Sequence, residues 1–95
     1  MVTITNKETT YIIKNKNETI EVEGEATIRD NNLISSFNGN FIVEGNNYIG
    51  NFYYNENEDG TINNHINITD NTIYKDVYDF LKLTIEVLKQ KVNEL

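Results

Sequence analysis

The feature that most constrains this chain is an alternation of apolar and polar residues sustained from residue 18 to residue 54. With successive side chains on opposite sides of an extended backbone, Ile20, Val22, Gly24, Ala26 and Ile28 share one side. Leu33, Ser35, Phe37, Gly39, Phe41 and Val43 follow, then Tyr48, Gly50, Phe52 and Tyr54. A helix would scatter such a series around its axis, whereas three strands with one buried face accommodate it. With Asn31-Asn32 and Gly45-Asn46 as two-residue hairpin loops, Ile28 pairs with Ser35, Ala26 with Phe37, Gly24 with Gly39, Val22 with Phe41 and Ile20 with Val43. Across the next hairpin Val43 pairs with Tyr48, Phe41 with Gly50, Gly39 with Phe52 and Phe37 with Tyr54. The buried parity survives both turns, and no proline interrupts any of these segments.

The flanking segments extend the same sheet. Residues 57–60 suit a three-residue loop with Gly60 in the left-handed position. A fifth strand over residues 61–69 then sets Ile62, Asn64, Ile66 and Ile68 inward, opposite Glu56, Tyr54, Phe52 and Gly50, with Asn64 the one misfit. In residues 1–14, Val2 and Ile4 have even parity and Tyr11 and Ile13 odd. A one-residue bulge within residues 6–9 would bring both groups to one face, with a turn at residues 15–17.

From residue 71 to residue 93 the period becomes 3.6: Ile73, Val77, Phe80, Leu81, Thr84, Ile85, Leu88 and Val92 lie on one side, with Lys75, Asp79, Lys82, Glu86 and Lys89 opposite. This is an amphipathic helix with Asp70 or Thr72 as its cap. Leu83 and Val87 widen the apolar arc on one flank and Tyr78 on the other, beyond what one flat sheet face covers. Either the sheet curls around the helix or a second copy of the chain covers the surplus, so a homodimer is expected through Tyr78, Leu83 and Val87 or through an edge strand such as residues 61–69. The expected fold is α+β, a single domain of 95 residues: a five-stranded antiparallel meander over residues 1–69 in order 1-2-3-4-5, with a C-terminal helix over residues 70–95 packed across one face.

Composition narrows function mainly by exclusion. A net charge of −7 with only eight Lys and Arg gives no basic surface for nucleic-acid phosphates. The lack of cysteine removes disulfides, thiol chemistry and a structural zinc site of the usual kind. No stretch has the apolar length of a membrane span, residues 1–14 hold no signal-like run, and a cytoplasmic protein is expected. Ser35 has core-facing parity, Ser36 has no partner, His65 is the one histidine, and no glycine lies in a strand-to-helix phosphate loop. Neither enzymatic activity nor a metal or cofactor is expected.

What remains is a surface. Glu21, Glu23 and Glu25 alternate with the buried series, and Asn40, Asn51, Asn67, Tyr53 and His65 share their outward parity, as do Ile34 and an adjacent pair, Ile42 and Ile49. This face suits a small acidic module that binds a protein partner with a basic surface. One alternative is an inhibitor that imitates nucleic acid at a basic site, and another is a carrier holding a small apolar ligand between the glycine-bearing sheet and the helix.

Overall fold

The structure, a computed structural model, describes Val2, residues 8–44 and residues 46–94. Its elements are β1 (Glu8–Lys16), β2 (Ile20–Arg29), β3 (Ile34–Val43), β4 (Asn47–Glu56), β5 (Ile62–Ile68), a single 3-10 turn (Asn71–Ile73) and α1 (Tyr74–Asn93). The strands form one antiparallel sheet in the order β1-β2-β3-β4-β5, the expected α+β meander. The bulge expected within residues 6–9 lies outside the described residues except for Glu8 and Thr9, which pair regularly with Arg29 and Ile28. Lys16 still belongs to β1, so the first turn lies later than residues 15–17. There the Asn17 side chain accepts from the backbone N–H groups of Thr19 at 2.8 Å and Ile20 at 2.7 Å, an Asx turn.

The central registers hold: Gly24 faces Gly39, Val22 faces Phe41, Gly39 faces Phe52, and Phe52 faces Ile66. Next to two turns, however, they differ from the expectation. Ile28 pairs with Ile34 rather than Ser35, and Val43 with Asn47 rather than Tyr48. Both differences have one cause. Asn32 and Asn46 have φ of 63° and 60°, the left-handed conformation that Gly60 adopts at 89°. Each closes a three-residue loop where a two-residue loop was expected, which slips the pairing by one residue. An extra residue then restores it, Ser35 in β3 and Ile49 in β4. Ser35 is therefore a half-buried bulge residue whose hydroxyl donates to the Thr27 carbonyl at 3.1 Å. Ile34, expected outside, is fully buried in the core, and Ile49 packs against that core instead of beside Ile42.

Helix and sheet share one interior, in which Phe37, Phe41, Ile34, Val22, Leu81 and Val77 are the largest fully buried side chains. At roughly 1.5–3 kcal/mol for each buried side chain of this size, their burial outweighs any local propensity in setting the helix against this face. Phe52 meets Phe37 edge to face at 4.9 Å and Phe41 at 5.1 Å between ring centroids. The glycines serve the sheet itself. A Cβ on Gly24 would lie 2.2 Å from the Asn38 carbonyl oxygen, one on Gly39 2.1 Å from that of Glu23, and one on Gly50 1.9 Å from that of Asn67. Neighbouring backbones approach too closely for any side chain.

Asp70 caps the 3-10 turn and not α1, whose N-cap position is Ile73 with no side-chain cap: the Asp70 carboxylate accepts from the Thr72 hydroxyl at 2.6 Å and from the Thr72 N–H at 2.9 Å, and these bonds hold it below the usual carboxylate range. The chain makes a 3-10 turn before α1, so regular helix begins at Tyr74 rather than at residue 71. Near its start, Ile73 and Asp76 border a depression with Ile20 and Val43; near its end, Asn93 accepts from the Asn32 side chain at 2.6 Å. The helix therefore runs along β2. The core reaches β5 only in part: Ile66 and Ile68 pack against it, while Ile62 is 56% exposed and the inward-parity Asn64 is solvated.

Candidate interaction surface

The face of the sheet away from the helix is built from the even-numbered residues of β1 and the outward residues of β2 to β5. Cross-strand pairing arranges them in rows: Lys16, Glu21, Ile42 and Tyr48; Lys14, Glu23, Asn40, Asn51 and Asn67; Ile12, Glu25, Asn38, Tyr53 and His65; Thr10, Thr27 and Ser36. All seven face residues expected from the sequence are thus together on one surface. Glu21 and Glu23 are half-buried; Glu25, Asn40, Asn51 and His65 are exposed, as is Tyr53 at 43%. Ile42 is buried on this face beside Glu21.

β1 changes the electrostatics of that surface. Lys16 stands opposite Glu21 and Lys14 opposite Glu23, so two of the three carboxylates face a cation across the ladder. Arg29 lies between Glu8 at 3.3 Å and Glu58 at 3.1 Å, joining the start of β1 to the loop before β5. Two of the three glutamates thus have a lysine as cross-strand neighbour and Glu25 has Ile12, while the centre of the face is amide, hydroxyl and phenol. The signal was legible in principle: odd parity inward for Tyr11 and Ile13 sends Ile12, Lys14 and Lys16 outward onto the glutamate strand. His65 stands beside Tyr53, and among the described residues no group of three His, Cys, Asp or Glu side chains is arranged to hold a metal ion.

A second polar cluster lies on the helix side, and the parity argument missed it because Lys89 reads as a solvated helix residue. Glu56 accepts from the Ile34 N–H at 3.0 Å, from the Tyr54 hydroxyl at 2.8 Å and from the Lys89 ammonium. Burial alone would raise the Glu56 carboxyl, but these bonds prevail and hold it below the usual carboxylate range. Burial, followed by the hydrogen bond to Glu56 and its charge, pushes the Tyr54 phenol far above its ordinary value. Neither group exchanges a proton readily near neutrality, so the cluster ties α1 to β4 and is ill suited to acid-base work.

The expected dimer-contact residues divide between the two flanks of α1. Leu83 is 50% exposed and shares a depression with Phe80 and Ile20, while Val87 is half-buried beside Ile13 in a groove between β1 and α1. Tyr78, 41% exposed, lies about three turns before Lys89 and so on the flank that faces β4. No helix among the described residues is long and apolar enough to cross a membrane. Comparison with protein-family models, curated proteins and solved structures finds no match for this chain.

Proposed function

We propose that this chain is a small non-enzymatic protein-binding module that engages its partner through the outer sheet face by hydrogen bonds and aromatic contact. The observation that carries this reading is the exposed row from Glu25 through Asn38 and Tyr53 to His65, flanked by Asn40, Asn51 and Asn67. An aromatic ring within an amide-rich field suits a partner that brings its own donors and acceptors. Lys14 and Lys16 opposite Glu23 and Glu21 weaken the imitation of a phosphate backbone. The filled interior around Phe37, Phe41 and Phe52 gives the apolar-carrier reading little support. A cysteine-free chain suits a reducing compartment such as the cytoplasm, where we place it.

The test is retention of a partner on the immobilised chain. Tyr53→Ala combined with Asn40→Arg is expected to abolish retention, whereas reversing Glu21, Glu23 and Glu25 to Lys leaves most of it, and high salt weakens it little. Steep loss with salt together with loss on charge reversal would transfer the assignment to an acidic inhibitor of a basic site. Retention indifferent to every variant of this face would move the site elsewhere.

A further inference from the structure

β1 is an edge strand, and its hydrogen-bonding pattern can be read from its turn. The Asn17 N–H donates to the Ile20 carbonyl at 3.0 Å, which marks that pair as hydrogen-bonded. Bonded and non-bonded pairs alternate along an antiparallel ladder. Tyr11, Ile13 and Asn15 therefore direct their backbone groups to β2, while Glu8, Thr10, Ile12, Lys14 and Lys16 direct theirs to the open edge. The side chains of that second set all lie on the outer face, and Ile12 among them is 77% exposed.

We infer that β1 is the homodimer contact, pairing antiparallel with β1 of a second copy about a two-fold axis at Ile12 and joining two sheets into one. This goes beyond the outer-face reading and does not depend on it. This register alone joins an opposite-charge pair with an apolar one: a neighbouring register also sets Glu8 against a lysine, Lys14, but then places Ile12 against Thr10. Ile12 meets Ile12 of the second copy, Thr10 meets its Lys14, and Glu8 meets its Lys16. Glu8 already lies 3.3 Å from Arg29, and Lys16 stands opposite Glu21. Across the junction the charges then alternate: Arg29, Glu8, then Lys16 and Glu21 of the second copy. On the helix side half-buried Tyr11 falls opposite the second copy's half-buried Ile13, beside the apolar flank at Val87. A shift of two residues either way takes Ile12 off the axis and sets it against Thr10 or Lys14. β5 at the opposite edge carries no charged side chain to impose such a register.

Sedimentation of the whole chain over a range of concentrations tests this. The wild type is expected to dimerise, and Glu8→Lys or Lys16→Glu, each of which sets like charges face to face twice, is expected to weaken the dimer about tenfold or more. An equimolar mixture of the two single variants is then expected to restore dimers, because each chain carries the charge that the other lacks. Circular dichroism of each variant checks that the fold survives, and Ile12→Lys provides a second disruption that leaves both ion pairs in place. A wild type that stays monomeric at high concentration would overturn the inference. So would a dimer insensitive to these changes but dispersed by Ile62→Lys or Leu83→Lys, or single variants that fold and dissociate yet fail to pair when mixed.

Discussion

At one edge of the sheet β1 presents Glu8, Lys14 and Lys16 around an exposed Ile12, with the helix close behind it; at the other, β5 presents Asn63, Asn64, His65 and Asn67 among isoleucines of which Ile66 and Ile68 pack against the core and Ile62 is exposed. Among the described residues both edges offer unpaired backbone groups, the feature by which strands recruit other strands. Their side chains make them different kinds of template. Charges of both signs around Ile12 let β1 favour one register for a second β1, in which Glu8 meets Lys16 and Ile12 meets Ile12, over its neighbours. Amides and isoleucines specify no register, so β5 could pair in several ways, all weakly. An edge that encodes its partner is thus distinguished from one that merely lacks a neighbour by the placing of a few charges, since the backbone is the same in both.

The largest expected effect concerns how β5 is held. It receives little cover from α1, but its backbone approaches β4 so closely that a Cβ on Gly50 would lie 1.9 Å from the Asn67 oxygen and 2.8 Å from the Ile68 Cα. Backbone atoms cannot move aside as a flexible side chain can. Gly50→Ala should therefore cost more than about 3 kcal/mol in urea unfolding, with early loss of amide protection in β5. The comparison change at the β1 edge, Ile13→Ala, removes a half-buried side chain and should cost only about 1–2 kcal/mol. If the two changes cost the same, close backbone contact is not what holds β5.

The next effects separate the flanks of the helix by their response to pH. On the β4 side, Glu56→Gln or Lys89→Met should cost roughly 1–2 kcal/mol near neutrality, with the partly exposed lysine keeping the figure low. Because the folded Glu56 carboxyl titrates below its unfolded value, its stabilisation is complete above the ordinary carboxylate range and is lost as pH falls through the folded value. Wild-type stability should accordingly decline more steeply on acidification than that of Glu56→Gln. Tyr54 has the opposite sign. Its raised folded value means that stability is lost as pH rises past about 10, where the unfolded phenol ionises, and Tyr54→Phe should abolish that alkaline loss. On the β1 side, the Asn15 amide donates to the Thr84 hydroxyl at 2.9 Å, and that hydroxyl donates to the Phe80 carbonyl at 2.8 Å. Thr84→Val should cost about 1 kcal/mol with no dependence on pH, because neither partner titrates.

How far these features could be read from residues alone follows from what encodes them. The sheet order and central registers were legible because apolar parity fixes them: a slip of one residue would turn Phe37, Phe41 and Phe52 out of the core. The loop before β5 was legible because glycine announces a left-handed position. Asn32 and Asn46 adopt the same conformation with a side chain that tolerates it less visibly, so the slips they cause and the bulges at Ser35 and Ile49 that correct them were not. Outward parity assembled the residues of the candidate surface correctly. Its acidic reading weighed Glu21 and Glu23 without the Lys16 and Lys14 that the neighbouring strand sets opposite them. The Glu56 cluster escaped for a related reason: periodicity assigns Lys89 to solvent, whereas a long side chain can reach back over a helix flank to a carboxylate.

The smallest effect on stability is the most discriminating for the two edges. Ile12 and Ile62 are 77% and 56% exposed, so replacing either with lysine removes little burial within one chain and should change its unfolding free energy by no more than about 0.5 kcal/mol. With folding nearly unaltered, a change in sedimentation reports the edge itself. Ile12→Lys sets two ammonium groups at the proposed axis and should disperse the dimer, whereas Ile62→Lys adds to β5 the kind of charge that protects natural edges and should leave the dimer intact. Dispersal by Ile62→Lys with Ile12→Lys silent would reverse the comparison. Self-association would then belong to the edge without an encoded register, and the alternating charges on β1 would act to keep other strands away.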